Sequence, residues 1–106
     1  MRIFCVVLLG LSASACGAKT GEQACKDVAD SLAVAFQQCG FDYQMSYDSF
    51  VQGLANGDCA NIVGIRDEPA LYDDCIPTLK ALTCPQINDP TLKLPASCLG
   101  QLQRNE

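Results

Sequence analysis

The sequence predicts an all-α fold: a small bundle of three to four short helices with an irregular C-terminal arm, stapled by three disulfides. Apolar residues recur at helical spacing in three segments. The sequence contains no run of alternating β-branched residues, so a sheet is not predicted. Six cysteines follow residue 22 in a chain of 106 residues, and small exported domains commonly use disulfides to support a small core.

Residues 1–15 have the layout of a lipoprotein-type signal peptide. One positive charge at Arg2 precedes an apolar stretch from Ile3 to Leu11, and small residues follow. This stretch is about half as long as the roughly 20 apolar residues that a membrane-spanning helix needs. We therefore expect an exported protein from which this segment is removed.

Two processing routes fit the residues around Cys16. The run ASAC at positions 13–16 resembles a bacterial lipobox, in which the cysteine is lipidated and becomes the mature N-terminus, although alanine replaces the more common leucine at its start. The other route is ordinary signal peptidase cleavage after Ala15 or Ala18. Cys5 leaves with the signal, and either lipidation of Cys16 or a cut after Ala18 leaves an even six cysteines. Lipidation of Cys16 is the first expectation, and a soluble secreted protein is the second.

The charge of the mature chain limits its partners. Removal of residues 1–15 takes away one of seven basic residues and none of twelve acidic ones, so the net charge becomes 6 − 12 = −6. Such a surface repels nucleic-acid phosphates and anionic lipid headgroups. We expect no nucleic-acid partner and a membrane contact only through the N-terminal lipid. The sequence does not identify a protein partner.

A flexible tether at residues 16–22 is predicted to precede the helical domain, which spans residues 23–106. The clearest helix covers residues 22–39, where a stripe of apolar residues falls within an arc of about 100°, at 100° per residue. Gly40 can take the left-handed conformation that closes a helix. The predicted apolar stripe consists of Cys25, Val28, Ala29, Leu32, Phe36 and Cys39.

Two further helices are predicted, one within residues 41–57 with Ser46 as its N-cap and one over residues 67–83. Pro77 predicts a kink in the third helix, or two short helices meeting at Ile76. Residues 84–98 contain three prolines and are predicted to be extended and irregular, with one helical turn after them. The apolar face of the third helix is predicted to consist of Leu71, Cys75, Leu79 and Leu82.

The cysteines of the domain are predicted to form three structural disulfides. A metal site or a redox site is not predicted, because the chain has no C-x-x-C pair and no histidine. The six predicted disulfide residues are Cys25, Cys39, Cys59, Cys75, Cys84 and Cys98.

Six cysteines allow fifteen connectivities, and helix geometry removes only some of them. Cys25 and Cys39 cannot pair, because their Cα atoms are about 21 Å apart on one helix. If the three helices run up-down-up, the ends of the first and third meet and Cys39–Cys84 is favoured. Cys59–Cys75 and Cys25–Cys98 then remain as the expected pairs.

No catalytic residue, metal site or cofactor is predicted. Without histidine, Ser-His-Asp and Cys-His arrangements cannot form. The acidic residues near the predicted helix starts are explained by the helix dipole, which makes a paired-carboxylate mechanism unnecessary. Six aromatic residues can in principle line a lipid cavity, although helical spacing favours an ordinary core: Phe36, Phe41, Tyr43, Tyr47, Phe50 and Tyr72.

The chain resembles the small cysteine-rich lipoproteins that some bacteria encode in numbers, mostly without an assigned function. The likeness rests on the ASAC run, the short tether, and the string GDCANIVGIRDEPALYDDCIPTLKALTC with the later LPASC. It implies an outer-membrane anchor, because Gly17 stands where an aspartate is associated with inner-membrane retention. It implies no activity. We therefore expect a lipid-anchored structural or protein-interaction module of the cell envelope, not an enzyme, with a soluble secreted carrier of a small apolar ligand as the alternative.

Overall fold

The computed structural model of the protein describes residues 19–104, so the predicted signal peptide, both candidate cleavage sites and Cys16 lie outside the described residues. This part of the chain is mostly helical but also contains a small antiparallel sheet, so the all-α prediction holds only in its coarse form. In chain order the elements are α1 (Gly21–Gln37), α2 (Tyr43–Ala55), a 3₁₀ turn (Cys59–Asn61), β1 (Ile62–Ile65), α3 (Glu68–Ala70, Leu71–Cys75 and Ile76–Lys80 in direct succession), α4 (Cys84–Ile87), a second 3₁₀ turn (Ala96–Cys98) and β2 (Leu102–Arg104).

Helix α1 is the central element. Thr20 is its N-cap, because Oγ1 accepts a hydrogen bond from the backbone N–H of Gln23 at 3.0 Å. The helix begins at Gly21, so the last two residues of the predicted tether, 21–22, are helical. Four of its alanines are fully buried, and these small side chains let neighbouring elements approach closely. Gly40 follows the helix at a φ of +95°, as predicted.

Two buried clusters lie on different sides of α1. The first joins α1 to α3 and contains Ala24, Val28, Ala35, Leu71, Cys75, Ile76, Leu79 and Leu82. The second joins α1 to α2, the first 3₁₀ turn and β1, and contains Cys25, Ala29, Val51, Ala55, Cys59 and Ile62. All four residues predicted for the apolar face of the third helix belong to the first cluster. The predicted stripe of α1 supplies residues to both.

Helix α2 begins earlier than predicted. Its N-cap is Asp42, whose Oδ2 accepts a hydrogen bond from the N–H of Met45 at 2.8 Å, so the assignment of Ser46 as the cap is wrong. The earlier start gives the helix one more turn, which carries Tyr43. Asn56 in the left-handed conformation, at a φ of 55°, closes the helix.

Helix α3 passes Pro77 by means of a π turn. Proline has no N–H and crowds the carbonyl oxygen four residues earlier. The segment Leu71–Cys75 is π-helical, and the N–H of Ile76 donates to the oxygen of Leu71, five residues back. The helix widens before the proline, and a second α-helical segment begins at Ile76 and continues to Lys80, in line with the junction predicted there.

Strands β1 and β2 form the sheet that the sequence analysis did not predict. They pair antiparallel, with Ile65 opposite Leu102 and Ile62 opposite Arg104, and an irregularity lies between Ile62 and Gly64. The helical turn predicted for residues 99–102 is wrong, because Gly100 has a φ of +64° and leads the chain into β2.

The irregular arm is interrupted by helix α4, which the prediction for residues 84–98 missed. Thr83 and Gln86 form a capping box, in which each side chain accepts a hydrogen bond from the other residue's backbone N–H. Pro85 lies in the first turn, where its missing N–H costs nothing. The chain between Ile87 and Pro95 is irregular, as predicted.

Three disulfides join the elements, and every cysteine in the described residues takes part in one. The predicted Cys39–Cys84 pair is confirmed. The predicted Cys59–Cys75 and Cys25–Cys98 pairs are wrong, since the structure has Cys25–Cys59 and Cys75–Cys98. The reason is that the first 3₁₀ turn packs beside α1, which brings Cys59 to Cys25, while the second 3₁₀ turn packs against α3.

Candidate functional site

The aromatic residues considered for a lipid cavity separate into three groups. Phe36 contacts Phe41 and Phe50, with ring centroids 5.3 and 5.1 Å apart. Tyr43 and Tyr47 stack on the surface of α2, with centroids 6.0 Å apart. Tyr72 lies on α3 beside α1. These rings do not line a common cavity, so the aromatic cavity is not found in the described residues.

Half-buried Phe36 and Phe50 and exposed Phe41 and Met45 form an apolar surface at the turn between α1 and α2. We call Phe36, Phe41, Met45 and Phe50 the apical patch. Met45 is 70% exposed and Phe41 is 45% exposed, although both are large apolar side chains. They border a depression of about 260 Å³ whose polar members are Asp42, Ser46 and Ser49. A cluster of exposed apolar side chains with a polar rim is typical of a protein-binding surface.

Two tyrosines connect α1 to its neighbours through carboxylates. Tyr72 Oη donates a hydrogen bond to Asp27 Oδ2, and Tyr43 Oη donates one to Asp30 Oδ1. The hydrogen bond to Asp30 raises the pKa of Tyr43 from 10.0 to about 12. Burial, followed by the hydrogen bond to Asp27, raises the pKa of Tyr72 above its ordinary value. Asp27 also accepts from Gln23, so these carboxylates act as structural acceptors.

A cavity of about 220 Å³ lies between α1, the end of α2, α3 and the C-terminal arm. We call it the leucine cavity. Its polar contributions come from Gln101 and Arg104, together with backbone at Gly53 and Gly100. Both polar atoms of the Gln101 side chain are hydrogen-bonded, since Oε1 accepts from the N–H of Asp67 and Nε2 donates to the oxygen of Ser97, both at 2.8 Å. The leucines that line the cavity are Leu32, Leu54, Leu71, Leu79, Leu94 and Leu102.

Neither the apical patch nor the leucine cavity was identified by the sequence analysis. The three phenylalanines of the patch were assigned to a core and Met45 was given no role, because helical spacing does not show that the end of a hairpin lacks a covering element. Arg104 and Leu102 reach the cavity through strand pairing with residues about 40 positions earlier, which leaves no local signal in the sequence.

The predicted site residues have different outcomes in the structure. The six domain cysteines are all in disulfides, whereas the predicted lipidation residue, Cys16, lies outside the described residues. Among residues 19–104 no group of three or more histidine, cysteine, aspartate or glutamate side chains is arranged to hold a metal ion. No helix in the same part of the chain is long and apolar enough to cross a bilayer.

The chain matches no protein-family model, and no curated protein or solved structure shows significant similarity to it.

Proposed function

We propose that the chain is an exported, non-catalytic protein of the cell envelope, anchored by a lipid on Cys16, whose domain binds another protein through the apical patch. The observation that carries this proposal is the exposure of Met45 and Phe41. Large apolar side chains held in water by a rigid helical hairpin raise the free energy of the unbound protein, and a partner that covers them removes this cost.

The position of the patch relative to the N-terminus supports an anchored arrangement. Helix α1 rises about 22 Å from Gly21 to Phe36, at 1.5 Å per residue. Only four residues separate Cys16 from Gly21. An anchor at Cys16 therefore joins one end of α1 to the membrane and leaves the patch at the other end, one helix length away.

The disulfides support export. Three disulfides in a domain of this size indicate an oxidising environment outside the cytoplasm. They also hold the base of the patch, since Cys39, between Phe36 and Phe41, is bonded to Cys84. A partner therefore meets a surface whose shape is largely set before binding, which lowers the entropic cost of association.

The chemistry of the patch indicates the kind of partner. Asp42 lies in the rim, and residues 16–106 carry a net charge of −6 (6 basic and 12 acidic). An apolar protein surface flanked by lysine or arginine side chains is complementary to this arrangement. Anionic lipid headgroups are not, because the negative charge of the domain repels them.

The alternative, a soluble carrier of a small apolar ligand, lacks the aromatic-lined cavity that was its strongest support. The phenylalanines border an open depression, and two of the three tyrosines are hydrogen-bonded to aspartates. The leucine cavity, of about 220 Å³, has room only for a ligand smaller than those that fill most pockets of roughly 300–1,000 Å³.

The proposal is tested by affinity purification from the native envelope with three baits. The baits are the wild-type protein, Met45→Asp, and the control Val63→Asp. Val63 is 62% exposed and lies on β1, near the opposite end of α1. We expect one protein that the wild type and Val63→Asp retain and that Met45→Asp loses. The same set of proteins on all three baits would contradict the proposal.

A further inference from the structure

The leucine cavity differs in charge from four other depressions of the described surface. The chain carries 12 acidic and 7 basic side chains. Four other depressions in residues 19–104 each include at least one aspartate. The residues that line the leucine cavity include Arg104 and no acidic side chain. Among these five depressions of the described residues, the leucine cavity is the one whose charged lining consists of a cation alone.

Arg104 is held in place and keeps free hydrogen-bond donors. Its Nε donates to the oxygen of Leu54 at 3.0 Å, and its Nη2 donates to the oxygen of Gly53 at 2.7 Å. A guanidinium group has five N–H donors, so three have no hydrogen-bond partner among residues 19–104 after these two bonds. No salt bridge joins Arg104 to a carboxylate within the described residues. The two backbone bonds fix the plane of the group, which lowers the entropic cost of binding an anion.

A second arginine lies beside the same region. Arg66 Nη2 donates to the oxygen of Leu99 at 2.8 Å, and Arg66 Nε is 3.9 Å from the position that a β-carbon on Gly100 would take. Gly100 is itself a lining residue. The net negative charge of the protein opposes an anion only weakly here, because charges beyond about 8 Å are screened at physiological ionic strength.

We propose that the leucine cavity binds a medium-chain carboxylate, with its hydrocarbon tail among Leu32, Leu54, Leu94 and Leu102 and its carboxylate on Arg104. The volume sets the length of the tail. An apolar cavity of about 150 Å³ holds one benzene ring, so 220 Å³ corresponds to a tail of roughly six to ten carbons. A carboxylate suits the guanidinium because the two planar groups form paired, charge-assisted hydrogen bonds. This site is independent of the apical patch.

The test is a calorimetric titration of the purified, disulfide-bonded protein with octanoate, octan-1-ol and hexadecanoate. Octanoate and octan-1-ol have the same tail and differ in charge. We expect octanoate to bind at one saturable site and at least about tenfold more tightly than octan-1-ol, which is the effect of a charge-assisted hydrogen bond. Hexadecanoate should gain nothing over octanoate from its longer tail. Equal binding of octanoate and octan-1-ol, no saturable octanoate site, or a much tighter hexadecanoate complex would overturn the proposal.

Variants assign the site. Arg104→Gln should weaken octanoate about tenfold and leave octan-1-ol within about twofold. Arg104 also donates hydrogen bonds to the end of α2, so Arg104→Gln can unfold the protein. Two further variants, at Leu94 and Leu92, test the site in that case. Leu94 and Leu92 are both 36% exposed, and only Leu94 lines the cavity. Leu94→Asp should abolish octanoate binding and Leu92→Asp should preserve it. Equal effects of these two variants would place binding elsewhere and overturn the proposal.

Discussion

A β-carbon on Gly21 would lie 2.6 Å from the carbonyl oxygen of Ile62, and 2.7 Å from the backbone nitrogen of Gly64. Real β-carbons do not come so close to backbone atoms, so only glycine fits at this point. The first turn of α1 is therefore packed directly on the backbone of β1. This contact fixes where the domain begins relative to the sheet and, with Thr20 as the cap, ends the tether at residue 20.

The first prediction concerns this contact. Gly21→Ala should destabilise the domain by about 1–3 kcal/mol, because the added methyl group must push β1 away from α1. The matched control is Gly53→Ala, since Gly53 is also helical and a β-carbon there meets nothing within 4 Å. This control should stabilise the protein by about 0.5–1 kcal/mol, owing to the better helix propensity of alanine. Urea denaturation of both variants measures the difference, and a neutral Gly21→Ala would show that the contact is looser than described.

The second prediction concerns alkaline pH. The pKa of Tyr43 is raised from 10.0 to about 12, and that of Tyr72 is also raised. A raised pKa in the folded state favours the protonated tyrosine, so the stabilisation is complete below pH 10 and is lost as the pH rises toward 12. The free energy of unfolding should therefore fall over this range in the wild type. It should fall less steeply in the double variant Tyr43→Phe, Tyr72→Phe, which lacks both tyrosines with a raised pKa. Equal slopes in urea titrations would contradict the role of the two hydrogen bonds.

The third prediction concerns the order of disulfide reduction. Cys25, Cys59 and Cys75 are buried, whereas Cys39 and Cys84 are both half-buried. A limited amount of reductant should open Cys39–Cys84 first, because thiolate attack needs access to a sulfur. Alkylation followed by mass spectrometry should find label on this pair before the other four cysteines. Early label on Cys25 or Cys59 would show that the α1 core opens more readily than its packing indicates.

Full reduction should unfold the domain near room temperature.

Helices α1 and α2, the apolar face of α3 and the participation of all six cysteines could be predicted because their signals are local. Periodic apolar residues mark a helix, and a left-handed glycine marks its end. The Cys39–Cys84 pair followed from the same information, since both residues follow helices whose ends meet. The α4 helix was also predictable in principle, because Thr83, Pro85 and Gln86 form a standard helix start.

The sheet and the other two disulfides could not be predicted in this way. Strands β1 and β2 have four and three residues, which is too few to show an alternating pattern. They also pair across about 40 positions of the chain, so no local signal marks the sheet. The Cys25–Cys59 pair depends on how the first 3₁₀ turn packs on α1, which only the folded chain determines. The leucine cavity exists because of these nonlocal contacts. It was missed for the same reason.

The fourth prediction concerns the anchor on Cys16. If this cysteine is lipidated, the protein should partition with membranes, and its mass should exceed that of residues 16–106 by a diacylglyceryl group and usually a third acyl chain. Several chains are needed because one acyl chain holds a protein only weakly. Cys16→Ser should release the protein or leave its signal uncut, without changing the three disulfides. A soluble protein with an unmodified N-terminus at Lys19 would contradict the anchor.

The most direct test of protein binding through the apical patch is site-specific photo-crosslinking in the native envelope. A photoreactive phenylalanine analogue is placed at Met45, in the apical patch, or at Val63, on β1, and the two proteins are irradiated in living cells. Both positions are exposed, so random contacts with other envelope proteins would crosslink them equally. The account predicts a discrete adduct with one protein from position 45 and none from position 63. No adduct from position 45, or the same adducts from both positions, would contradict it.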